Sequence, residues 1–293
     1  MLKKVNVIDF KTTVVKKQFL KVLNLVFKLN VTSERTWVLI VTLPAILSFI
    51  SLYCFSRYST LHRMLPPQIV CLMLTSPLLT GFIFSLNIIE WRQTYMLRRL
   101  KTIGVKPWQI LTSSLLVACI FLTISLLVNF LVSYLLAKTT PEIEFSNLSN
   151  LTSYVWIWFI ITSVLMMMMF FFLTSFLCNF INKKNIGIVI LLFTLAFALI
   201  FSDILIPSYV ATQNAFLNYF SYINIFKYFT WIILLTASYA FLDFEGGINQ
   251  VTQSDASSPE YIFINNIYAP LVIAGVAVVL CFVLTCKYFK WKD

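Results

Sequence analysis

Charged residues are scarce in this chain of 293 residues, since Asp, Glu, Lys and Arg together make up 11% of it. A soluble globular domain has roughly 25%. Hydrophobic residues account for 60% of the sequence, and the mean hydropathy is +0.88. This composition excludes a water-soluble core and predicts a polytopic membrane protein.

Catalytic motifs are also missing. The sequence has one histidine, His62, and none of the patterns HExxH, GxSxG or CxxC. It has no GxxxxGK[ST] phosphate loop, so we do not expect the chain itself to bind ATP in the usual way. An intramembrane enzyme needs a constellation of reactive side chains. We therefore predict no catalytic residues, no metal site and no cofactor in this chain, and its six cysteines are expected to be apolar core residues.

Long apolar runs define the fold class. About 20 apolar residues in a helix cross a bilayer core of about 30 Å. Six runs reach that length: Trp37–Phe55, Ile69–Ile89, Ile110–Ala137, Val155–Phe180, Ile186–Ile206 and Ile267–Cys286. The sequence thus predicts an all-α fold with six transmembrane helices. The run Phe229–Leu242 is too short for a span, so residues 207–266 are predicted to form an outer segment that is re-entrant or interfacial at this run.

The distribution of positive charge predicts the topology. With six spans and a cytoplasmic N-terminus, the inner segments are 1–36, 90–109, 181–185 and 287–293, and they hold 18 of the 22 Lys and Arg residues. Because Lys and Arg accumulate in cytoplasmic loops, we expect both termini in the cytoplasm and the protein in the plasma membrane. The net charge of +11 is explained by this bias and does not call for a nucleic-acid partner.

The sequence predicts an amphipathic helix in residues 1–36, followed by a transmembrane domain in residues 37–293. They contain an apolar stripe opposed by a polar one: Val15, Phe19, Val22, Leu23 and Val26 against Lys17, Lys21, Asn24 and Lys28. This pattern is typical of a helix lying in the membrane interface with its lysines towards anionic lipid head groups. A helix packed on a partner protein is the alternative.

The segment between the second and third runs, EWRQTYMLRRLKTIGVKPWQIL, predicts a short basic helix over 91–104. Apolar residues recur on one helix face, and five positive charges stand against Glu90 alone. Gly104 is a helix-stop signal, and Pro107 suits the first turn of the next helix. A basic helix at this position is typical of an element on which a cytosolic protein docks.

The stretch Met96–Leu111 resembles the cytoplasmic loop of ABC type-2 permeases, the membrane subunits of ATP-binding-cassette exporters. The matching residues are Arg98, Arg99, Leu100, Pro107, Trp108, Gln109, Ile110 and Leu111. Gln93 and Tyr95 stand where the family commonly has Glu and Gly, and Glu90 lies one helical turn earlier as an acidic substitute.

The resemblance implies a permease subunit that pairs with a second permease subunit, identical or related, and with separate ATPase subunits that carry the ATP and Mg²⁺. It implies that the loop helix is a coupling helix. The implied ATPase-coupling residues are Glu90, Trp91, Arg92, Gln93, Leu97, Arg98, Arg99, Leu100 and Lys101.

The resemblance also implies that spans two and five line the substrate path. Candidate path residues are Thr75, Ser76, Thr80, Ser85, Asn87 and Asp203. For the small polar residues, helix–helix contact is the alternative. For Asp203, a functional charge and a carboxylate at the interface are both open. Two other functions remain open: a non-transport membrane subunit whose basic loop recruits a cytosolic partner, and a secondary carrier.

Overall fold

The computed structural model describes residues 7–58, 66–139, 153–181, 183–206, 215–239 and 267–289, and every regular element in these ranges is helical. The first five helices are α1 (Val7–Val31), α2 (Glu34–Trp37), α3 (Leu43–Tyr58), α4 (Pro66–Leu72) and α5 (Thr75–Gln93), with a π-helical segment, Val38–Thr42, joining α2 to α3. The next four are α6 (Tyr95–Thr102), α7 (Pro107–Thr139), α8 (Ser153–Asn179) and α9 (Lys184–Ile200). The last three are α10 (Ala215–Ser221), α11 (Ile225–Tyr239) and α12 (Tyr268–Lys287).

Within the described residues, five stretches of helix are long and apolar enough to cross a membrane. They are Glu34–Cys54, Pro67–Gln93, Pro107–Leu136, Ser153–Asn179 and Tyr268–Lys287. Each coincides with one of the six runs recognised in the sequence. The chain therefore has the all-helical build of a multi-pass membrane protein, as expected.

The run Ile186–Ile206 has a shorter helix than expected. It forms α9, which has 17 residues and ends at Ile200. At 1.5 Å per residue α9 is about 26 Å long, a little less than the bilayer core of about 30 Å. A sixth span here stays a prediction. The short run Phe229–Leu242 falls in α11 as far as Tyr239, and residues 207–214 and 240–266 of the expected outer segment lie outside the described residues.

The core of the fold surrounds α5. This helix packs on α3, α7, α8 and α9, and it is buried along its whole apolar length. Its closest approach to α8 is at Gly81, where an added Cβ would lie 3.1 Å from the Met167 carbonyl oxygen and 3.1 Å from the Phe170 Cβ. The absence of a side chain at Gly81 allows the two helices to pack this tightly.

The N-terminal helix α1 lies along α7. Val22 and Val26 are buried in the common core, and Leu23 packs against it. Phe19 stacks on Trp108, with ring centroids 6.4 Å apart. The described part of the apolar stripe therefore packs on the protein itself, with α7 as its apolar partner. A position of α1 in the membrane interface stays a prediction. Val15 lies among residues whose side chains are not described.

The six cysteines are free thiols. Cys71, Cys178 and Cys281 are buried, in line with the prediction that cysteine serves as a small apolar residue here. Cys54 is exposed.

Gly81→Ala is expected to destabilise the protein, whereas Gly275→Ala is not. The new methyl group at position 81 would press on the α8 backbone, and overpacking of this kind costs about 1–3 kcal/mol. An added Cβ at Gly275 meets nothing within 4 Å, so the gain in helix propensity of about 0.5–1 kcal/mol remains. Thermal unfolding of both variants in detergent measures the difference. Equal melting temperatures would contradict the close contact between α5 and α8.

Candidate functional site

The loop between the second and third apolar helices contains a separate short helix, α6. The expected single helix over 91–104 is divided at Thr94, whose backbone is extended with φ −92° and ψ 161°. Residues 91–93 therefore continue α5, and Tyr95 begins a new helix. The Thr94 hydroxyl donates to the Trp91 carbonyl oxygen at 3.0 Å, so it closes the end of α5.

One face of α6 is buried and the other is exposed and basic. Leu97 and Leu100 are 1% and 8% exposed and belong to the hydrophobic core. Arg98, Arg99 and Lys101 are exposed. The exposed face also carries two large apolar side chains, since Tyr95 is 74% and Ile103 61% exposed. The periodicity of the sequence predicted the two buried leucines and the exposed charges. It also placed Ile103 on the apolar face with them, which is wrong, because Ile103 lies beyond the end of α6 and is exposed.

The turn after α6 fixes the position of the helix. Gly104 has a φ of 83°, which lies in the left-handed region that glycine adopts without strain. Its N–H donates to the Lys101 carbonyl oxygen at 3.0 Å, and the Val105 N–H donates to the Leu100 carbonyl oxygen at 3.1 Å. These two bonds form a Schellman motif, with Val105 and Leu100 both buried. The stop signal at Gly104 is thus confirmed.

The start of α7 is capped directly after this turn. The Lys106 N–H donates to Oε1 of Gln109 at 2.9 Å, and the Gln109 N–H donates to the Lys106 carbonyl oxygen at 3.0 Å. Pro107 occupies the first position of α7, as predicted. Gln18 of α1 also donates to the Ile103 carbonyl oxygen at 3.4 Å. The loop that presents α6 is therefore held from both ends.

Glu90 joins three helices directly beneath α6. Arg35 of α2 donates to both of its carboxylate oxygens, from Nη1 to Oε1 at 2.9 Å and from Nη2 to Oε2 at 2.6 Å. Lys184 of α9 lies 3.2 Å from Oε1. A bidentate Arg–carboxylate pair fixes both distance and orientation. We call Arg35, Glu90 and Lys184 the Glu90 node.

Two asparagines extend the Glu90 node to α1. Nη2 of Arg35 donates to Oδ1 of Asn87 at 3.3 Å, and Nδ2 of Asn87 donates to Oδ1 of Asn30 at 2.7 Å. Asn30 in turn donates to the Val26 carbonyl oxygen at 2.8 Å. Asn30 and Asn87 are both buried. The end of α5 is therefore linked to α1, α2 and α9.

Arg92 points into the protein and joins α5 to two further elements. Its Nη2 donates to Oδ1 of Asn179 at the end of α8, and its guanidinium carbon lies 5.2 Å from the centroid of the Phe289 ring after α12. Residues from all four segments expected on one side of the membrane, namely 1–36, 90–109, 181–185 and 287–293, thus meet at this end of the molecule.

The nine predicted coupling residues fall into three groups. Gln93, Arg98, Arg99 and Lys101 are exposed, and Trp91, Leu97 and Leu100 pack on the core. Glu90 and Arg92 bind other parts of the chain. The analysis of the sequence missed Arg35, Lys184 and Asn179. Arg35 and Lys184 lie in segments on the same predicted side of the membrane as Glu90, which was the available signal, whereas Asn179 lies at the end of a predicted span.

The five predicted path residues on α5 lie inside the single chain. Nδ2 of Asn129 on α7 is 3.3 Å from the Thr75 hydroxyl and 3.1 Å from the Ser76 hydroxyl. The Ser85 hydroxyl is 2.6 Å from that of Thr174 on α8. In this arrangement they make helix–helix contacts, and their place along a substrate path stays a prediction.

Thr80 and Asn87 complete this set. The Thr80 hydroxyl donates to the Ser76 carbonyl oxygen of its own helix at 2.8 Å. Asn87 bonds Asn30, as described above. These two groups are satisfied within the chain.

Asp203 is buried and paired within the protein. Its backbone has a left-handed φ of 61°, in the turn that follows α9. Its Oδ2 lies 3.3 Å from Nζ of Lys227 and accepts a hydrogen bond from Nε1 of Trp231 at 2.8 Å. Lys227 also donates to the Ser221 hydroxyl and lies 4.4 Å from the centroid of the Tyr222 ring. The pair ties the end of α9 to α11.

The described residues form no metal centre. Within the ranges that the structure covers, no group of three or more His, Cys, Asp or Glu side chains is close enough together to hold a metal ion.

No protein-family model matches this chain, and no curated protein sequence matches it. Any assignment of function rests on the loop motif and the geometry described above.

Gly104→Ala is expected to destabilise the loop by about 1–2 kcal/mol, the cost of a left-handed backbone for a residue with a Cβ. The cause is purely conformational, because an added Cβ at this position meets nothing within 4 Å. Gly104→Asn is the matched control, since asparagine tolerates this region better. Thermal unfolding in detergent should rank the proteins in the order Gly, Asn, Ala. An alanine variant as stable as the wild type would show that the positive φ is dispensable.

Lys227→Met is expected to cost about 3–5 kcal/mol, because it leaves the Asp203 carboxylate buried without its cation. In the double variant Asp203→Asn, Lys227→Met no charge is buried, and asparagine still accepts from Trp231 and tolerates the left-handed backbone. The double variant should therefore be more stable than Lys227→Met alone. A double-mutant cycle of unfolding free energies in detergent tests this. Simple additivity of the two single changes would contradict a coupled pair.

Proposed function

We propose that this chain is the membrane subunit of an ABC exporter and that α6 docks a separate ATPase subunit. The observation that carries the proposal is the short basic helix α6, exposed on one face and fixed on the other by Leu97, Leu100 and the turn at Gly104. ATP and Mg²⁺ bind the ATPase subunit, and this chain supplies the membrane-embedded part.

The exposed face of α6 suits an acidic cleft with an apolar rim. Arg98 and Arg99 offer planar forks that bind carboxylates through two hydrogen bonds each. Tyr95 and Ile103 provide apolar contact area beside them. Tyrosine and arginine are among the residues that contribute most to binding energy at protein interfaces. The surface therefore combines specificity for a negative partner with hydrophobic anchoring.

The Glu90 node and Arg92 give the route by which docking reaches the membrane helices. Glu90 and Arg92 lie in the last turn of α5, immediately before Thr94 and α6. A displacement of α6 acts on α2 through Arg35, on α9 through Lys184 and on α8 through Asn179. Because packed helices resist gradual deformation, such a displacement moves them as rigid bodies.

The rest of the assembly follows from the same proposal. A second permease subunit, identical or related, and the surrounding lipid cover the exposed apolar faces of α3, α7, α9 and α12. The polar residues of α5 and Asp203 become path residues only when the helices around them separate. The substrate class is left open, and a role in the plasma membrane with both termini in the cytoplasm is part of the proposal.

The decisive experiment reverses the charge of α6 without touching its core. In the variant Arg98→Glu, Arg99→Glu the buried Leu100 is kept, since its replacement would damage the helix itself. We expect co-purification with a candidate ATPase subunit to fall at least about a hundredfold, because losing two charge-assisted contacts costs roughly 1.5–3 kcal/mol each. Stimulation of ATP hydrolysis should be lost in parallel, while membrane insertion stays intact.

The matched control is Lys21→Glu, Lys28→Glu, which makes the same change in charge on the exposed side of α1. It should leave ATPase binding unchanged. Normal binding by the α6 variant would rule out docking through this helix. A cellular function that persists without any ATPase would favour a secondary carrier or a non-transport subunit instead.

A further inference from the structure

A deep apolar groove opens on the side of the molecule between α9 and α12. Both helices pack on α8, whose Met169 and Leu173 form the floor. Thr194 and Phe197 of α9 line one wall, and six residues of α12 line the other: Val272, Ile273, Val276, Ala277, Leu280 and Cys281. The turn and first residues of α11, 223–226, close one end. The groove has a volume of about 640 Å³, within the range of roughly 300–1,000 Å³ typical of small-molecule sites.

The lining of the groove offers nothing for a polar ligand. It contains no charged side chain, and its one hydroxyl and one amide are already engaged. The Thr194 hydroxyl donates to the Ile190 carbonyl oxygen at 2.8 Å. Asn224 donates to the Phe197 carbonyl oxygen at 3.1 Å and accepts from the Phe226 N–H at 3.1 Å. A buried water needs two to four polar partners, so water is a poor occupant.

The shape of the groove is fixed by polar contacts behind its end wall. The Asn224 bond to the Phe197 carbonyl oxygen joins the turn before α11 to α9. The buried pair of Asp203 with Lys227 joins the turn after α9 to α11 itself. The ring of Phe220 packs on those of Phe197 and Phe201, with centroids 6.0 Å and 5.3 Å away. These contacts keep the turn wedged beside α9, so the groove does not close by collapse of α9 onto α12.

The groove is continuous with the outward apolar surface of the membrane helices. Val272, Val276 and Leu280 of α12 line it and are exposed. On α9 the exposed Phe193 stacks on Phe197 of the wall, with centroids 6.4 Å apart. α12 is long and apolar enough to cross a membrane. In a bilayer that α12 spans, this outward surface meets lipid hydrocarbon. An empty groove at that depth would forfeit the dispersion contacts of its lining.

We propose that this groove is a binding site for one acyl chain of a membrane phospholipid. The chain enters from the lipid side between α9 and α12 and lies on Leu173 and Met169. Its partners are mainly methyl, methylene and aromatic groups, with the sulfur atoms of Met169 and Cys281 among them, so recognition is by shape and not by the head group. The site is independent of the docking role of α6.

The test uses the full chain in phosphatidylcholine vesicles that contain a phosphatidylcholine with a diazirine in the middle of its palmitoyl chain. After irradiation, cross-linked residues are mapped by mass spectrometry. We expect labelling of Leu173 on the floor to saturate as the fraction of probe lipid rises, because a binding site holds a fixed number of lipid chains. Labelling of Val279, exposed on α12 outside the groove, should rise in proportion to the probe, as it does for lipid in transient contact.

Ala277→Phe fills the groove from α12 and should lower the labelling of Leu173 several-fold. Val279→Phe adds an aromatic ring to the same helix outside the lining and should leave it unchanged. The saturation measurement on the wild-type protein stands even where Ala277→Phe does not fold. Absent or non-saturating labelling of Leu173 would overturn the proposal. So would a disulfide between two chains carrying Val276→Cys, since it would identify a second copy as the occupant.

Discussion

The carboxylate of Glu90 fixes the relative positions of three helices at one end of the molecule. Its two oxygens bind Arg35 on α2 at 2.9 Å and 2.6 Å, and Lys184 on α9 lies at 3.2 Å. Glu90 belongs to α5, which is surrounded by other helices along its apolar length. This buried helix thus ends in a charged junction that reaches its neighbours, shortly before Tyr95 begins α6.

Short-range features of this site could be predicted from the sequence. The stop at Gly104, the start of α7 at Pro107 and the burial of Leu97 and Leu100 depend on residues a few positions apart, where backbone geometry and helical periodicity decide. The break at Thr94 could not be predicted in this way. No glycine or proline marks it, and it follows from the different packing of α5 and α6.

Features that depend on contacts between distant parts of the chain could not be predicted from the sequence. The apolar stripe of α1 was recognised, but periodicity shows only that a face avoids water. It does not distinguish lipid from α7, on which Phe19, Val22 and Val26 lie. The same holds for α9. Its apolar run predicts a helix to Ile206, yet the helix ends at Ile200, because the left-handed backbone of Asp203 places the carboxylate against Lys227 and Trp231.

The two charged junctions differ in what they permit. Glu90 and Arg35 are partly exposed, with 26% and 43% of their side chains accessible, so water can replace a lost contact and the junction can rearrange at modest cost. Asp203 and Lys227 are almost fully enclosed, and separating them would leave two charges without solvent. In the proposed exporter, motion that begins at α6 changes the Glu90 end first, while α9 and α11 stay joined at Asp203 and move together as one body.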